Sequence, residues 1–102
     1  MDKALALQPQ ELRAVEGLKA MADPNRMHIV TMLSNQEMCA IELLRQLEIS
    51  QPTLSHHMKV LILASIVKTR KSGAQVYYTV NAAKLEELAS LLDGISRGPA
   101  VR

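Results

Sequence analysis

The sequence predicts a mainly α fold with a single β-hairpin, and two observations indicate it. Apolar residues recur at helical spacing in five segments, whereas residues 66–80 change to a β-branched pattern interrupted by Ser72-Gly73. The length of 102 residues corresponds to one domain. We expect that domain to cover residues 1–102, ordered from about 9 to 95 and followed by a tail over 96–102. Because aromatic residues make up only 2% of the chain, the core must be aliphatic.

Two helices are predicted in the first third of the chain. The first follows Gln8-Pro9 and has an apolar face of Leu12, Val15, Leu18 and Met21. Asp23-Pro24 combines an N-cap residue with a proline in the first turn, which favours the start of a second helix. The apolar side of this second helix comprises Met27, Ile29, Val30 and Leu33.

The next two helices are separated only by a short link at residues 48 and 49. Residues 39–47 predict a short helix with inward residues Ala40, Leu43, Leu44 and Leu47. Ser50 caps a fourth helix, whose inward residues are Leu54, Met58, Leu61 and Ile62. Its outward face is polar and carries Gln51, Ser55, His56 and Lys59, with Thr53 at the edge. Two helices joined in this way, the second with a polar first turn, indicate a helix-turn-helix.

A hairpin and a last helix complete the predicted fold. Residues 66–70 and 75–80 are the strands, and the tip between them is predicted to hold Arg70, Lys71 and Gln75. Because a two-stranded hairpin alone is marginally stable, it must pack against the helices. Asn81 is the N-cap candidate for a helix over residues 82–95. Its apolar stripe, which is spaced for helix–helix packing, comprises Leu85, Leu88, Leu92 and Ile95.

The charge of the chain is unevenly distributed. The net charge is +2, but residues 49–81 contain four basic residues and no acid, whereas the rest holds eight basic and ten acidic residues. A basic surface is typical of nucleic-acid binding, because neutralised phosphates release counterions. From charge alone, an ordinary solvated surface explains the pattern equally well.

Three segments of the chain carry a family resemblance: LKAMADPNRMHIVTML, EMCAIELLRQLEISQPTLSHHMKVL and VKTRKSGAQVYYTV. They resemble the ArsR/SmtB family of bacterial repressors over roughly residues 15–95, most specifically in SQPTLSHHMKVL. The resemblance implies a homodimeric winged helix-turn-helix repressor that binds a palindromic stretch of double-stranded DNA until an inducer releases it. The implied DNA-contacting residues are Gln51, Thr53, Ser55, His56 and Lys59 of the fourth helix, and Arg70, Lys71 and Gln75 of the hairpin, or wing. The implied dimer interface joins the first and last helices through Leu12, Val15, Leu85, Leu88, Leu92 and Ile95.

The chain departs from the arsenical-repressor branch of that family at its sensing site. The branch carries two thiolates two residues apart with a third nearby, whereas here Cys39 stands alone, with Ile41 and Leu44 in the other places. One sulfur cannot chelate As(III), and residues 82–95 hold no histidine for the family's other metal site. We therefore expect no metal and no cofactor, and the inducer is unknown.

A second departure lies directly after the fourth helix. The family usually has a glycine there, because a residue with positive φ stops the helix before the wing. In this chain Ser65 occupies that place. The fourth helix therefore either runs longer or ends in a mildly strained turn, which bears on the placement of the wing.

Two other functions are kept as alternatives. The first is a winged-helix protein–protein interaction module, against which the absence of acids in residues 49–81 argues. The second is a thiol-redox-responsive repressor that acts through Cys39, since a helix N-terminus can lower the pKa of a thiol. An enzyme is not expected, because the sequence has neither a nucleophile–base constellation nor a glycine-rich phosphate loop.

The composition also predicts where the protein resides. A single cysteine suits a reducing compartment. No apolar run reaches the roughly 18 residues of a membrane span, and the start MDKALALQPQ lacks the long apolar region of a signal peptide. We expect a cytoplasmic protein with no membrane partner.

Overall fold

A computed structural model describes residues 6–99 of the chain. The ends of the predicted domain, residues 1–5 and 100–102, lie outside the described residues. Within residues 6–99 there are five helices: α1 (Pro9–Met21), α2 (Pro24–Leu33), α3 (Ala40–Gln46), α4 (Gln51–Leu63) and α5 (Ala82–Arg97). There are three strands: β1 (Met38–Cys39), β2 (Val67–Ser72) and β3 (Gln75–Val80). The predicted order is confirmed, with α3 and α4 as the helix-turn-helix and β2–β3 as the wing.

Polar N-caps set the starts of α2, α4 and α5, as predicted. Asp23, Ser50 and Asn81 each accept a hydrogen bond from the backbone N–H three residues further on, at 3.1, 3.3 and 3.4 Å. A proline in the first turn of α2 and α4 loses no hydrogen bond there, since that N–H would have no helical partner. The backbone hydrogen bond to Asp23 lowers the pKa of its carboxyl, because it favours the ionised form.

The sheet is antiparallel and has the strand order β1-β3-β2. In the wing, Val67 pairs with Val80 at one end and Ser72 with Gln75 at the other, and Gly73 takes a φ of +61° in the turn. Strand β1 was not predicted, because two residues are too few to show a strand period. It joins the wing to the start of α3, so the hairpin is held by the body of the domain.

The core is aliphatic, as predicted, and draws on most of the elements. Its fully buried side chains are Ile29, Leu43, Leu54, Leu61, Ile66 and Val67. Two residues predicted to face inward do not: Met27 is 47% exposed and Ile62 is 38% exposed. Met27 lies at the edge of α2 that borders α1 and α5. The buried face of α4 is centred further from Ile62 than predicted, because it includes His57, which is 7% exposed.

The ends of α4 and α5 settle two expectations. Ser65 has a φ of +62°, so the turn after α4 is the strained one, and Asn81 donates from its side chain to the Ser65 carbonyl oxygen at 3.0 Å. Helix α5 runs to Arg97, two residues beyond the predicted end at about residue 95, and Gly98, with a φ of +67°, follows it. Over residues 6–99, no helix combines the length and the apolar character needed to cross a bilayer.

Candidate nucleic-acid interface

The outward face of α4 is polar and exposed. It presents all five predicted residues of this helix: Gln51, Thr53, Ser55, His56 and Lys59. At 13 residues, α4 is about 20 Å long, which is enough to lie in one major groove. Its N-terminus also offers backbone N–H groups and a positive dipole end to a phosphate.

Thr53 differs from its neighbours because its hydroxyl is already engaged. The Ser50 hydroxyl donates to Thr53 Oγ1 at 3.0 Å, while the Thr53 backbone N–H donates to Ser50 Oγ at 3.3 Å. The Thr53 hydroxyl proton is left for an outside acceptor. Thr53 therefore has fewer hydrogen bonds to offer than the other polar residues of this face.

The inner side of α4 is fixed to α1 and α2 by a pair that the sequence did not indicate. Arg26 Nη1 lies 3.2 Å from His57 Nδ1, and Arg26 Nε donates to the Ala20 carbonyl oxygen at 2.6 Å. Because a guanidinium can only donate, His57 Nδ1 is the acceptor of this hydrogen bond. These partners give Arg26 a structural role inside the domain.

The wing presents Arg70, Lys71 and Gln75 to solvent, but Arg70 does not lie at its tip. Arg70 pairs with Tyr77 in the middle of β2 and β3, two residues from the pair that closes the turn. Its guanidinium donates to both carboxylate oxygens of Glu37, at 3.2 and 2.5 Å, and lies 4.9 Å from the centroid of the Tyr77 ring. Arg70 is thus held by an acid and an aromatic ring of its own chain.

The Glu37–Arg70 pair is charged at neutral pH. The hydrogen bonds from Arg70 lower the pKa of Glu37, and Glu37 in turn raises the pKa of Arg70. Glu37 therefore competes with any phosphate for the same guanidinium. Sequence reasoning missed Glu37 because it lies 33 residues from Arg70 and follows no helical or strand pattern.

The residues predicted for the dimer interface differ in their exposure. Leu12, Val15, Leu92 and Ile95 are exposed, Ile95 by 68%, and Leu18 joins them on the same pair of helices. Leu88 is only 5% exposed and packs over Gly17, so it belongs to the core of the chain rather than to the exposed face. Leu85 is half-buried. Beside these residues lies an apolar groove of about 540 Å³ between α1, α2 and α5.

Cys39 lies buried at the N-cap of α3. Its backbone N–H donates to Glu42 Oε1 at 2.9 Å, and this hydrogen bond lowers the pKa of Glu42. Ile41, which stands where the arsenical pattern has a second thiolate, is exposed. Within residues 6–99 there is no group of three or more histidine, cysteine, aspartate or glutamate residues arranged to hold a metal ion.

Known proteins are similar to this chain in sequence. The sequence pattern of the bacterial regulatory proteins of the arsR family matches residues 23–69, which include α2, α3 and α4. The arsenical resistance operon repressor of Staphylococcus xylosus is 44% identical over 79 residues, which cover 78% of this chain and 76% of that protein.

Other similar proteins extend the comparison to solved structures. The transcriptional activator HlyU of Vibrio cholerae is 36% identical over 86 residues, or 84% of this chain and 80% of that protein. A structure of HlyU matches with a TM-score of 0.71 over 87% of this chain and 97% of that chain. An ArsR-like regulator from Rhodococcus sp. RHA1 has a TM-score of 0.81 over 88% of this chain and 85% of its own, and its 23% identity shows a shared fold alone.

Proposed function

Since the chain belongs to the arsR family of bacterial regulatory proteins, and is thus a DNA-binding transcriptional regulator rather than an enzyme, we propose that it represses transcription as a homodimer on a palindromic operator. The observation that carries the proposal is the exposed polar face of α4 in a stretch, residues 49–81, without a single acid. A repressor of this kind works where the genome lies, which in a cell without a nucleus is the cytoplasm.

Each polar residue has a role in this proposal that follows from its chemistry. Gln51, Ser55 and His56 form hydrogen bonds with base edges in the major groove, and Thr53 contributes its one remaining donor. Lys59 of α4 and the wing residues contact the phosphate backbone, which positions the protein without selecting a sequence. In the wing, Lys71 and Gln75 flank the turn. Arg70 contacts phosphate to the extent that its ion pair with Glu37 opens.

The exposed apolar face of α1 and α5 supports the homodimer. Leu12, Val15, Leu92 and Ile95 leave apolar area in water that a second copy would cover, with Leu85 at the edge. A two-fold interface is self-complementary, so a single apolar face suffices. The two α4 helices of such a dimer would contact half-sites about 34–36 Å apart on a palindrome.

We also propose that the inducer is not a metal ion. Cys39 is a single, buried thiol, and its neighbours in the arsenical pattern are aliphatic residues. Burial also argues against the redox alternative, because an oxidant reacts with an accessible thiolate.

A titration tests this function. The purified chain is added to a labelled duplex of its own promoter region and to a scrambled duplex, at two salt concentrations, and fluorescence anisotropy is recorded. We expect at least about a thousandfold preference for the promoter duplex, unchanged by As(III), Zn(II) or peroxide. Equal affinity for both duplexes would favour the protein–protein module, and release by As(III) or Zn(II) would contradict a metal-independent inducer. Release by peroxide that Cys39→Ser abolishes would establish the redox alternative.

Sedimentation tests the homodimer separately. We expect the wild-type chain to sediment as a dimer and Leu92→Glu, which places a charge in the exposed apolar face, to sediment as a monomer. Ile41→Glu, at an exposed apolar position outside α1 and α5, is the matched control and should remain dimeric. A wild-type monomer, or dimers of equal stability in both variants, would contradict the proposed interface.

A further inference from the structure

A pocket that the DNA-binding function leaves unexplained lies where the end of α1 meets the C-terminal half of α4. Its volume is about 420 Å³, and we name it the α1–α4 pocket. Its charged lining residues are Glu16, Lys19 and Arg26, and its apolar ones include Val60, Leu63 and Ala64. It is separate from the apolar groove beside the predicted interface, which no charged residue lines.

The charges and walls of the α1–α4 pocket define the chemistry of a ligand. Two cations and one acid give it a net positive charge, and none of the ion pairs formed within residues 6–99 engages Lys19 or Glu16. Leu63, which is 75% exposed over the described residues 6–99, forms part of an apolar wall that is open to solvent. A carboxylate would face Lys19 and Arg26, and a short apolar body would cover Leu63.

Arg26 connects this pocket to the DNA-facing helix. Of the five N–H donors of its guanidinium, the structure engages two, one with the Ala20 carbonyl oxygen and one with His57 Nδ1. The His57 ring centroid lies 5.9 Å from that of His56, which is on the outward face of α4. Three donors remain for a ligand, and a carboxylate that pairs with two of them and with Lys19 would turn the guanidinium toward the pocket and weaken its hydrogen bond to His57 Nδ1.

We propose that the α1–α4 pocket binds a small carboxylic acid with an apolar body, and that its occupation weakens operator binding by drawing Arg26 away from His57. The pocket is then the inducer site of the repressor, so this second part rests on the proposed function. The ligand class follows from paired cations beside aliphatic walls, and the effect follows from the shared guanidinium.

Binding is tested with octanoate as the probe and the methyl NMR spectrum of the full-length chain as the readout. We expect saturable shifts at Val60, Leu63 and Ala64, with at least tenfold weaker binding in Lys19→Glu and weaker binding in Leu63→Ser. Lys68→Glu, the same charge reversal on the exposed side of β2, is the matched control and should bind octanoate normally. Lys19 and Leu63 are both exposed, so we expect both variants to fold.

Four results of this titration would overturn the proposed site. The first is equal binding of octanoate to wild type and Lys19→Glu, and the second is a set of shifts centred on α1 and α5. The third is equal binding of octanol, which lacks the charge, or of acetate, which lacks the apolar body. Absence of saturable shifts would overturn it as well.

The regulatory part is tested by operator affinity with and without octanoate. We expect at least a threefold loss of affinity in wild type and in Lys68→Glu, each relative to its own value without octanoate, and no loss in Lys19→Glu. An operator affinity that ignores octanoate while the pocket methyls shift would overturn the coupling through Arg26. Failure of the ligand-free chain to bind its promoter would instead reject the repressor function, while octanoate binding is judged by its own spectra.

Discussion

Replacing Glu37 with glutamine should strengthen DNA binding by releasing Arg70. In the free protein Arg70 donates to both oxygens of Glu37 and lies over Tyr77. Because Arg70 lowers the pKa of Glu37, the carboxylate stays ionised at neutral pH and is protonated only below its ordinary value of 4.5. Glu37→Gln removes that competing charge while keeping the size and polarity of the side chain.

The size of the effect follows from the number of phosphates contacted. Each additional phosphate contact steepens the dependence of log affinity on log salt by about 0.9. One released arginine in each protomer of a dimer therefore adds up to about 1.8 to the slope. Over a fourfold change in salt concentration, the ratio of the Glu37→Gln affinity to the wild-type affinity should change by up to about twelvefold, and the ratio should be larger at low salt.

Anisotropy titrations on a non-specific duplex over a range of salt concentrations measure this slope. Glu37→Gln should be steeper than wild type, and the double variant Glu37→Gln/Arg70→Ala should lose the gain. Glu86→Gln removes an exposed acid from α5, away from the wing, and should match wild type. An unchanged slope in Glu37→Gln, a gain kept by the double variant, or the same gain in Glu86→Gln would refute competition between Glu37 and phosphate for Arg70.

The remaining predictions concern stability and are checked by urea unfolding at a fixed protein concentration. Gly94→Ala should raise the free energy of unfolding by about 1 kcal/mol, the cost of glycine in a helix interior, because a Cβ at this position meets nothing within 4 Å. Gly17→Ala should gain less stability or lose some, because a Cβ there lies 3.2 Å from a methyl group of Leu88. Equal effects at the two glycines would contradict this packing. Ser65→Gly should stabilise by about 1 kcal/mol, since it removes a left-handed non-glycine conformation, and a loss of stability would show that the turn is not strained. Glu42→Gln should be less stable than wild type at neutral pH. The pKa of Glu42 is lower in the folded protein than its ordinary value of 4.5. The carboxylate therefore stabilises the fold fully above pH 4.5, and this stabilisation is lost as the pH falls through the pKa of the folded protein. The difference in stability between Glu42→Gln and wild type should then vanish in acid. A difference that persists there would contradict the role of the Glu42 carboxylate.

Most of the fold could be predicted because its signals are local. Polar caps at Asp23, Ser50 and Asn81 set helix starts through bonds that span only three residues. The wing could be predicted because runs of β-branched residues on both sides of a Ser-Gly turn favour a β-hairpin. Strand β1 escaped because its two residues become a strand only when β3 lies beside them.

The candidate site was predictable in its residues but not in its contacts. Polar residues on one face of α4 follow from helical spacing, whereas Glu37 beside Arg70 and Arg26 beside His57 are 33 and 31 residues apart in the chain. Such pairs depend on how the elements pack, which periodicity does not specify. For the same reason, spacing could not separate buried Leu88 from its exposed neighbours in the stripe of α5.

The ratio of specific to non-specific affinity in Gln51→Ala tests most directly whether α4 contacts base edges. Wild type, Gln51→Ala and Lys71→Ala are titrated onto the promoter duplex and the scrambled duplex under the same salt conditions. We predict that Gln51→Ala lowers the ratio by about fivefold or more, as loss of a base contact of 1 kcal/mol or more would. Lys71→Ala should weaken binding to both duplexes and leave the ratio unchanged. An unchanged ratio in Gln51→Ala would contradict the central claim that this face of α4 recognises the operator.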